Sequence, residues 1–241
     1  FRGVLSADEK VSKVAIRIPK ITYQGISFQD INFQLDNQNP FFNTYISVGS
    51  IISSNFGFKD FNTISKDSND GVLFRTEFTV GDNGESKFEL NYYYSLKNQK
   101  PVFELKKSIA SINSNQWLIN PMDKSDHLFS FDRLTNKFDL NNFEAVSKNE
   151  KVSFSMNYLN ADDFNFQLMA NKVLIDRLDV SSKYFQMGGT LDLDVGFKRS
   201  LSNISLNIDG NILGFNLNKF PMGDLSFFTE GNTEYNSYDI N

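Results

Sequence analysis

Between Leu191 and Asn218 the chain alternates apolar and polar residues almost without interruption. Leu191, Leu193, Val195 and Phe197 fall on one side, Asp192, Asp194 and Lys198 on the other. The pattern resumes at Ile204, Leu206 and Ile208, and again at Leu213, Phe215 and Leu217. Successive side chains of a strand point to opposite faces, so a period of two specifies a sheet with one oily and one wetted side. The same period recurs at Val14, Ile16, Ile18; at Ile31, Phe33, Leu35; at Phe88, Leu90, Tyr92, Tyr94; and at Phe103, Leu105. It returns at Val152, Phe154, Met156, Tyr158 and at Phe164, Phe166, Leu168, Ala170. No stretch carries a sustained helical stripe, although Ser6 and Glu9 make a weak capping box that predicts a short helix there.

Polar breakers separate these runs: "DNQNP", "KDSNDG", "GDNGES", "KNQKP", "NADD" and "DGN". The gaps are short, which favours up-and-down antiparallel pairing. A strict repeat is lacking, which argues against a propeller or a fixed-motif solenoid. No Pro-, Gly- or Ser-rich linker divides the chain, so residues 1–241 read as one β-rich section without an internal boundary. The apolar runs look shorter than the roughly 9–11 residues of a membrane-barrel strand, and phenylalanine sits inside them instead of at their ends. About 15 strands at roughly 4.8 Å spacing would extend on the order of 70 Å.

Catalytic constellations are nearly missing. The 25 Phe and 9 Tyr lie in strands without basic interleaving, and a net charge of −5 with mixed signs offers nothing to neutralise phosphates in a nucleic acid. The absence of Cys removes disulfides, thiolate chemistry and thiolate metal sites. No run approaches the roughly 20 apolar residues of a membrane-spanning helix. Phe1 in place of an initiator Met marks a fragment, so any targeting or anchoring segment lies outside it. The lone His127, near Asp123 and Asp126, reads as an ordinary surface loop residue. In "KDSNDGVLFRTE" Gly71, Asp70 and Glu77 fit the spacing of a calcium loop, but Lys66 occupies the first ligand position where a carboxylate is required, so the segment reads as a β-turn. "GDNGESK" lacks phosphate-loop spacing and reads as a hairpin turn. The "LDLD" acids read as solvated residues of the outward face. Neither an enzymatic activity, a cofactor nor a metal is expected.

A continuous apolar face must be covered by something. A second sheet would give a closed β-sandwich, bilayer lipid an outer-membrane barrel, and single lipid molecules an open transport groove. All three obey the same alternation.

Several segments in order carry a resemblance: "TYQGISFQDINFQLDN", "NTYISVGSI", "DGVLFRTEF", "FELNYYYSL", "LKKSIASINSNQWLIN", "FSFDRLTNKFDLNNFEAVSKNEKVSFSMNY" and "MGGTLDLDVGFKRSLSNISLNIDGNILGF". From Thr22 to Phe215 this series, with the "QWLIN" piece at Gln116 to Asn120, resembles the central region of TamB-like proteins of the AsmA-like superfamily. The resemblance implies an all-β, elongated, curled antiparallel sheet with a hydrophobic groove, the β-taco. It implies a section of a periplasmic bridge in a diderm bacterium that shields phospholipid between inner and outer membranes and supports outer-membrane assembly. It also implies an inner-membrane anchor and a BamA-type outer-membrane barrel partner (TamA-like), both engaged through regions outside this fragment.

On that reading the groove is lined by the alternating set, namely Phe154, Met156, Phe164, Phe166, Leu168, Leu191, Leu193, Val195, Ile204, Leu206, Ile208 and Phe215. The alternatives are a structural or adhesive β domain with a closed core, and a ligand-binding module using outward aromatics such as Tyr93.

Overall fold

Strands take up the alternating stretches. A computed structural model describes residues 1–6, 9–53, 56–68, 70–81, 86–97, 100–112, 115–132, 134–177, 186–233 and 237–240. In chain order the strands are β1 (Arg2–Ser6), β2 (Val11–Tyr23), β3 (Ile26–Asp36), β4 (Thr44–Ile52), β5 (Gly57–Ser68), β6 (Gly71–Val80), β7 (Ser86–Lys97), β8 (Lys100–Leu105) and β9 (Ser108–Ile112). They continue with β10 (Asn115–Ile119), β11 (Leu128–Asp132), β12 (Lys137–Ser147), β13 (Glu150–Asn160), β14 (Asp163–Leu174), β15 (Met187–Ser200), β16 (Asn203–Leu217), β17 (Phe220–Asn232) and β18 (Ser237–Ile240). A 3-10 turn at Ile175–Arg177 is the one helical element among the described residues.

The fold is all-β and antiparallel, as the alternation predicts. The chain forms two compact units, one of Phe1–Lys97 with Phe103–Trp117 and one of Asn98–Val102 with Leu118–Asn241. In the first unit β1 to β7 pair in chain order and β9 adds to β7. In the second, β11 to β18 pair in chain order, with the end of β10 beside β12. The principal contacts within each unit follow these ladders, so each is a meander of hydrogen-bonded neighbours.

Tight turns explain the up-and-down order. At Gln24 and Gly25, between the paired Tyr23 and Ile26, both φ angles are positive. The same holds at Asn218 and Lys219, between Leu217 and Phe220. Two positive φ values give the type I′ turn, whose twist matches that of the flanking strands. At the β5–β6 hairpin Ser68 pairs with Gly71, where a Cβ would lie 2.1 Å from the Tyr94 carbonyl oxygen, so only glycine fits. Only the end of "KDSNDG" is the turn: Lys66, Asp67 and Ser68 lie within β5, where Lys66 donates to the Asn39 and Pro40 carbonyls, and Asn69 lies outside the described residues.

Several sequence expectations fail, among them that Leu213 shares a side with Phe215: it pairs with Thr190, next to Leu191 of the apolar face, and is 47% exposed. Ser6 ends β1 and already pairs with Val11 of β2, which leaves no room for a helix, and its hydroxyl accepts the Glu9 N–H at 3.4 Å. Ala7 and Asp8 lie outside the described residues. "DGN" is no breaker: Asp209, Gly210 and Asn211 sit inside β16 because Gly210 makes room for the ring of Phe227, 2.2 Å from where a Cβ would stand. The strands are also not short. From β13 to β17 they run 11, 12, 14, 15 and 13 residues, so length does not separate this sheet from a membrane barrel.

The runs looked short because many strands carry a step of three where strict alternation needs two. Between Lys59 and Asn62 the register shifts, with Asp60 at φ 53°. The rings of Phe58 and Phe61, three residues apart, both meet Phe78, at 5.4 and 6.4 Å. The extra residue therefore returns the apolar side chains to the same face. Further shifts fall between Leu140 and Phe143 (Asn142, φ 52°), Ala170 and Val173 (Lys172, φ 52°), and Ile212 and Phe215 (Gly214, φ 62°). Asn, Asp and Gly tolerate the left-handed region that such bulges need.

Few apolar side chains are buried. Among the described residues they are Val48, Val102, Ala110, Trp117, Ile119, Ala145, Val173, Ile175 and Ile212, of which only Val173 is fully so.

Candidate functional site

In the second unit, pairing sorts side chains into rows that cross the ladder on one face. Phe129, Leu140, Met156, Phe166, Phe197 and Leu206 make one row. Phe143, Phe154, Leu168, Val195 and Ile208 make the next, followed by Ala145, Val152, Ala170, Leu193, Gly210 and Phe227. Val173, Leu191, Ile212 and Leu225 follow, and Phe215 lies beyond the last stagger. Toward the opposite end Phe131, Phe138, Tyr158, Phe164, Arg199 and Ile204 close the face. All twelve residues expected to line the groove lie on this one surface.

Each of those twelve is half-buried, neither sealed beneath another layer nor standing free in water. They cover one another through neighbouring strands. Phe164 and Phe166 stack on Phe197 at 5.2 and 5.5 Å, Phe154 meets Phe166 at 6.3 Å, and Tyr158 meets Phe164 at 6.1 Å. Cross-strand aromatic pairs of this kind stabilise a sheet beyond the area they cover. The rings sit along the strands, not in belts at their ends.

The reverse face is wetted. Ser153, Met169, Asp194 and Asp209 share one row, and Lys151, Asn171, Asp192, Asn211 and Ser226 another. The "LDLD" acids thus point outward as expected, and Asp192 accepts the Lys172 N–H at 2.9 Å. A cleft of 460 Å³ opens on this polar side, lined by Lys151, Met169, Asp192, Asp194 and Asp209. A second, of 670 Å³, lies at the staggered end beside Met187, Gly188, Gly189 and Leu213. The first also takes in Ala170, Leu193 and Gly210 of the apolar face, and no aromatic ring lines either of the two.

The margins of the apolar face carry charge. Glu150 is 4% exposed; its Oε1 is paired with Arg177 of the 3-10 turn, and its Oε2 accepts the Leu174 N–H at 3.0 Å. At the other margin Arg199 stands between Phe164 and Ile204, its Nη2 2.8 Å from Asp162 Oδ1.

His127 is not a surface residue. It is 5% exposed, and its Nδ1 donates to the Asn142 carbonyl at 2.7 Å, because the loop after β10 folds back onto the stagger of β12. Asn120, with no exposed surface, organises that loop through bonds to the Lys124 backbone. Among the described residues no three His, Cys, Asp or Glu side chains cluster with metal-binding geometry, and no helix is long and apolar enough to cross a membrane.

The sequence reading missed the rows' outer members, Phe129, Phe138, Phe143 and Phe227. Phe129 and Phe138 sit in short alternations, "LFSF" and "KFDL", that period two would have found. Phe143 follows a step of three and required the stagger to be known.

Fold and site together define a class: an antiparallel meander with one continuous, half-covered apolar face and one polar face. Compared with known proteins, the chain matches no family model, no curated protein and no solved structure.

Proposed function

We propose that this chain is a lipid-shielding section of a TamB-like periplasmic bridge, its apolar face holding phospholipid acyl chains between inner and outer membranes in support of outer-membrane assembly. The observation that carries the reading is the unbroken apolar face from β11 to β17, in which all twelve expected residues are half-buried within one sheet. An acyl chain crossing water exposes about 0.8 kcal/mol per CH₂, hence on the order of 12 kcal/mol for roughly 15 methylenes. A row of Phe, Leu, Ile and Val side chains replaces that water while leaving the headgroup wetted. Inward of the margin at Arg199, rows of similar apolar side chains across seven strands give an acyl chain no single deep stopping point, which suits passage better than storage. Staggers that keep the face continuous serve the same end. The proposal assigns neither an anchor nor a barrel contact to residues of this chain.

Native mass spectrometry of the gently purified chain tests the proposal. Adducts of phospholipid mass are expected on the native chain and are expected to fall when Leu193 is replaced by Arg. A chain free of lipid, with Leu193→Arg unfolding it, would instead identify a closed structural β domain.

A further inference from the structure

We propose that Arg199 is a headgroup contact, binding the phosphate of an amphiphile whose acyl chain lies along the neighbouring aromatic rows. This deepens the lipid reading above and rests on it. Arg199 is the one basic residue that β12 to β16 place on the apolar face among the described residues. Its ladder partners are Phe164 on one side and Ile204 on the other, and Phe197 precedes it on the same side of β15. An arginine there desolvates donors that a leucine would not carry.

Those donors are incompletely met. Nη2 reaches Asp162 at 2.8 Å, whereas Nε is buried and no described residue accepts from it. The side chain as a whole is 38% exposed, so a ligand reaches the outer guanidinium nitrogens and not the covered Nε. A phosphate suits them: its oxygens match the planar guanidinium and form short, charge-assisted bonds. Asp162 lies on the β13–β14 turn with its side chain 63% exposed, so it can swing into water and release the guanidinium. The position also fits an amphiphile. Arg199 lies at the margin, next to the turns at Asp162 and Leu201, where an apolar surface meets solvent. A tail then runs inward over Phe197, Phe166 and Val195 while the charged group stays at the edge.

Binding of dodecylphosphocholine and of a neutral monoacylglycerol of equal chain length, both below micelle concentration, is measured on the whole chain by tryptophan-independent calorimetry. Inorganic phosphate is a third arm. The phosphate amphiphile is expected to bind about tenfold tighter than the neutral one, as one charge-assisted contact supplies. Arg199→Gln is expected to erase that difference without weakening the neutral amphiphile, and Arg199→Lys to keep part of it. Asp162→Asn is expected to tighten the phosphate amphiphile, which a purely structural ion pair would not do. Unfolding curves establish that each variant is folded.

An unchanged preference in folded Arg199→Gln overturns the proposal but leaves the lipid reading standing. Weaker binding in Asp162→Asn overturns it as well. Inorganic phosphate binding as tightly as the phosphate amphiphile overturns the headgroup assignment in favour of a free-anion site. Failure of both amphiphiles to bind overturns the lipid reading, and this inference with it.

Discussion

Replacing Phe166 by Arg separates an open face from a sealed core, because the two arrangements predict different energies. A fully covered phenylalanine hides roughly 150–250 Å². Phe166 is half-buried, held by Phe197 at 5.5 Å and Phe154 at 6.3 Å. Losing about 100 Å² of cover at roughly 25 cal/mol per Å² costs about 2.5 kcal/mol. The aliphatic stem of arginine restores part of that cover while its guanidinium reaches water, leaving a net loss of about 2 kcal/mol. Val173, on the same face but only 1% exposed, supplies the internal control. An unpaired charge forced in there has no path to solvent, and the loss should exceed about 4 kcal/mol. Urea unfolding followed by far-ultraviolet circular dichroism measures both variants. Phe166→Arg is expected to remain folded with a lowered midpoint, and Val173→Arg to fail to fold. Equal collapse of the two would refute the open face, since it would mean that the Phe166 ring is sealed as deeply as Val173.

The buried pair at the opposite margin gives a second expectation. Glu150→Ala leaves Arg177 without its partner and the Leu174 N–H without an acceptor, at a cost of about 3 kcal/mol, and pairing it with Arg177→Met in a double-mutant cycle should recover part of the loss. Acid should weaken the fold through three carboxylates. Asp132 is held below its ordinary range by the Thr135 side chain and then by the Thr135 and Leu134 backbone, Asp36 by Lys13, and Glu89 by Lys87. A folded-state value below the unfolded one contributes stability that is full above the unfolded value and lost as pH falls through the folded one, so melting temperature should decline below about pH 4. Asp132→Asn should flatten that decline. Lys87, raised by Glu89, acts oppositely: its contribution is complete below the usual lysine value and lost as pH rises above it.

Much of the sheet was legible because its information is local. Phe164, Phe166 and Leu168 alternate in sequence, and no tertiary context was needed to place them on one side. The staggers were not legible by the same rule. Once Ala170 is followed by Val173, strict alternation assigns Val173 to the polar side, whereas Lys172 takes a positive φ and restores it to the apolar one. A polar residue or a glycine breaking an apolar run by three instead of two was the available signal, as at Asn142 and Gly214. Burial of His127 depends on a carbonyl fifteen residues away, and the Glu150–Arg177 pair spans 27 residues. Neither spacing marks a partner in a linear pattern. Arg199 was visible only as a charge ending an alternating run; its partner Asp162, 37 residues away, is not marked in the linear pattern.

The inserted residues also govern how the chain tolerates editing. Each is one residue in excess of strict alternation: deleting Lys172 alone would leave Ala170 and Val173 two apart and both on the apolar face, with the stagger gone. A single deletion inside an alternating run would instead turn every side chain beyond it over. Length changes are therefore constrained to even counts within the runs, whereas a stagger accepts the loss of one residue, and single substitutions among similar apolar residues leave the two-sidedness intact.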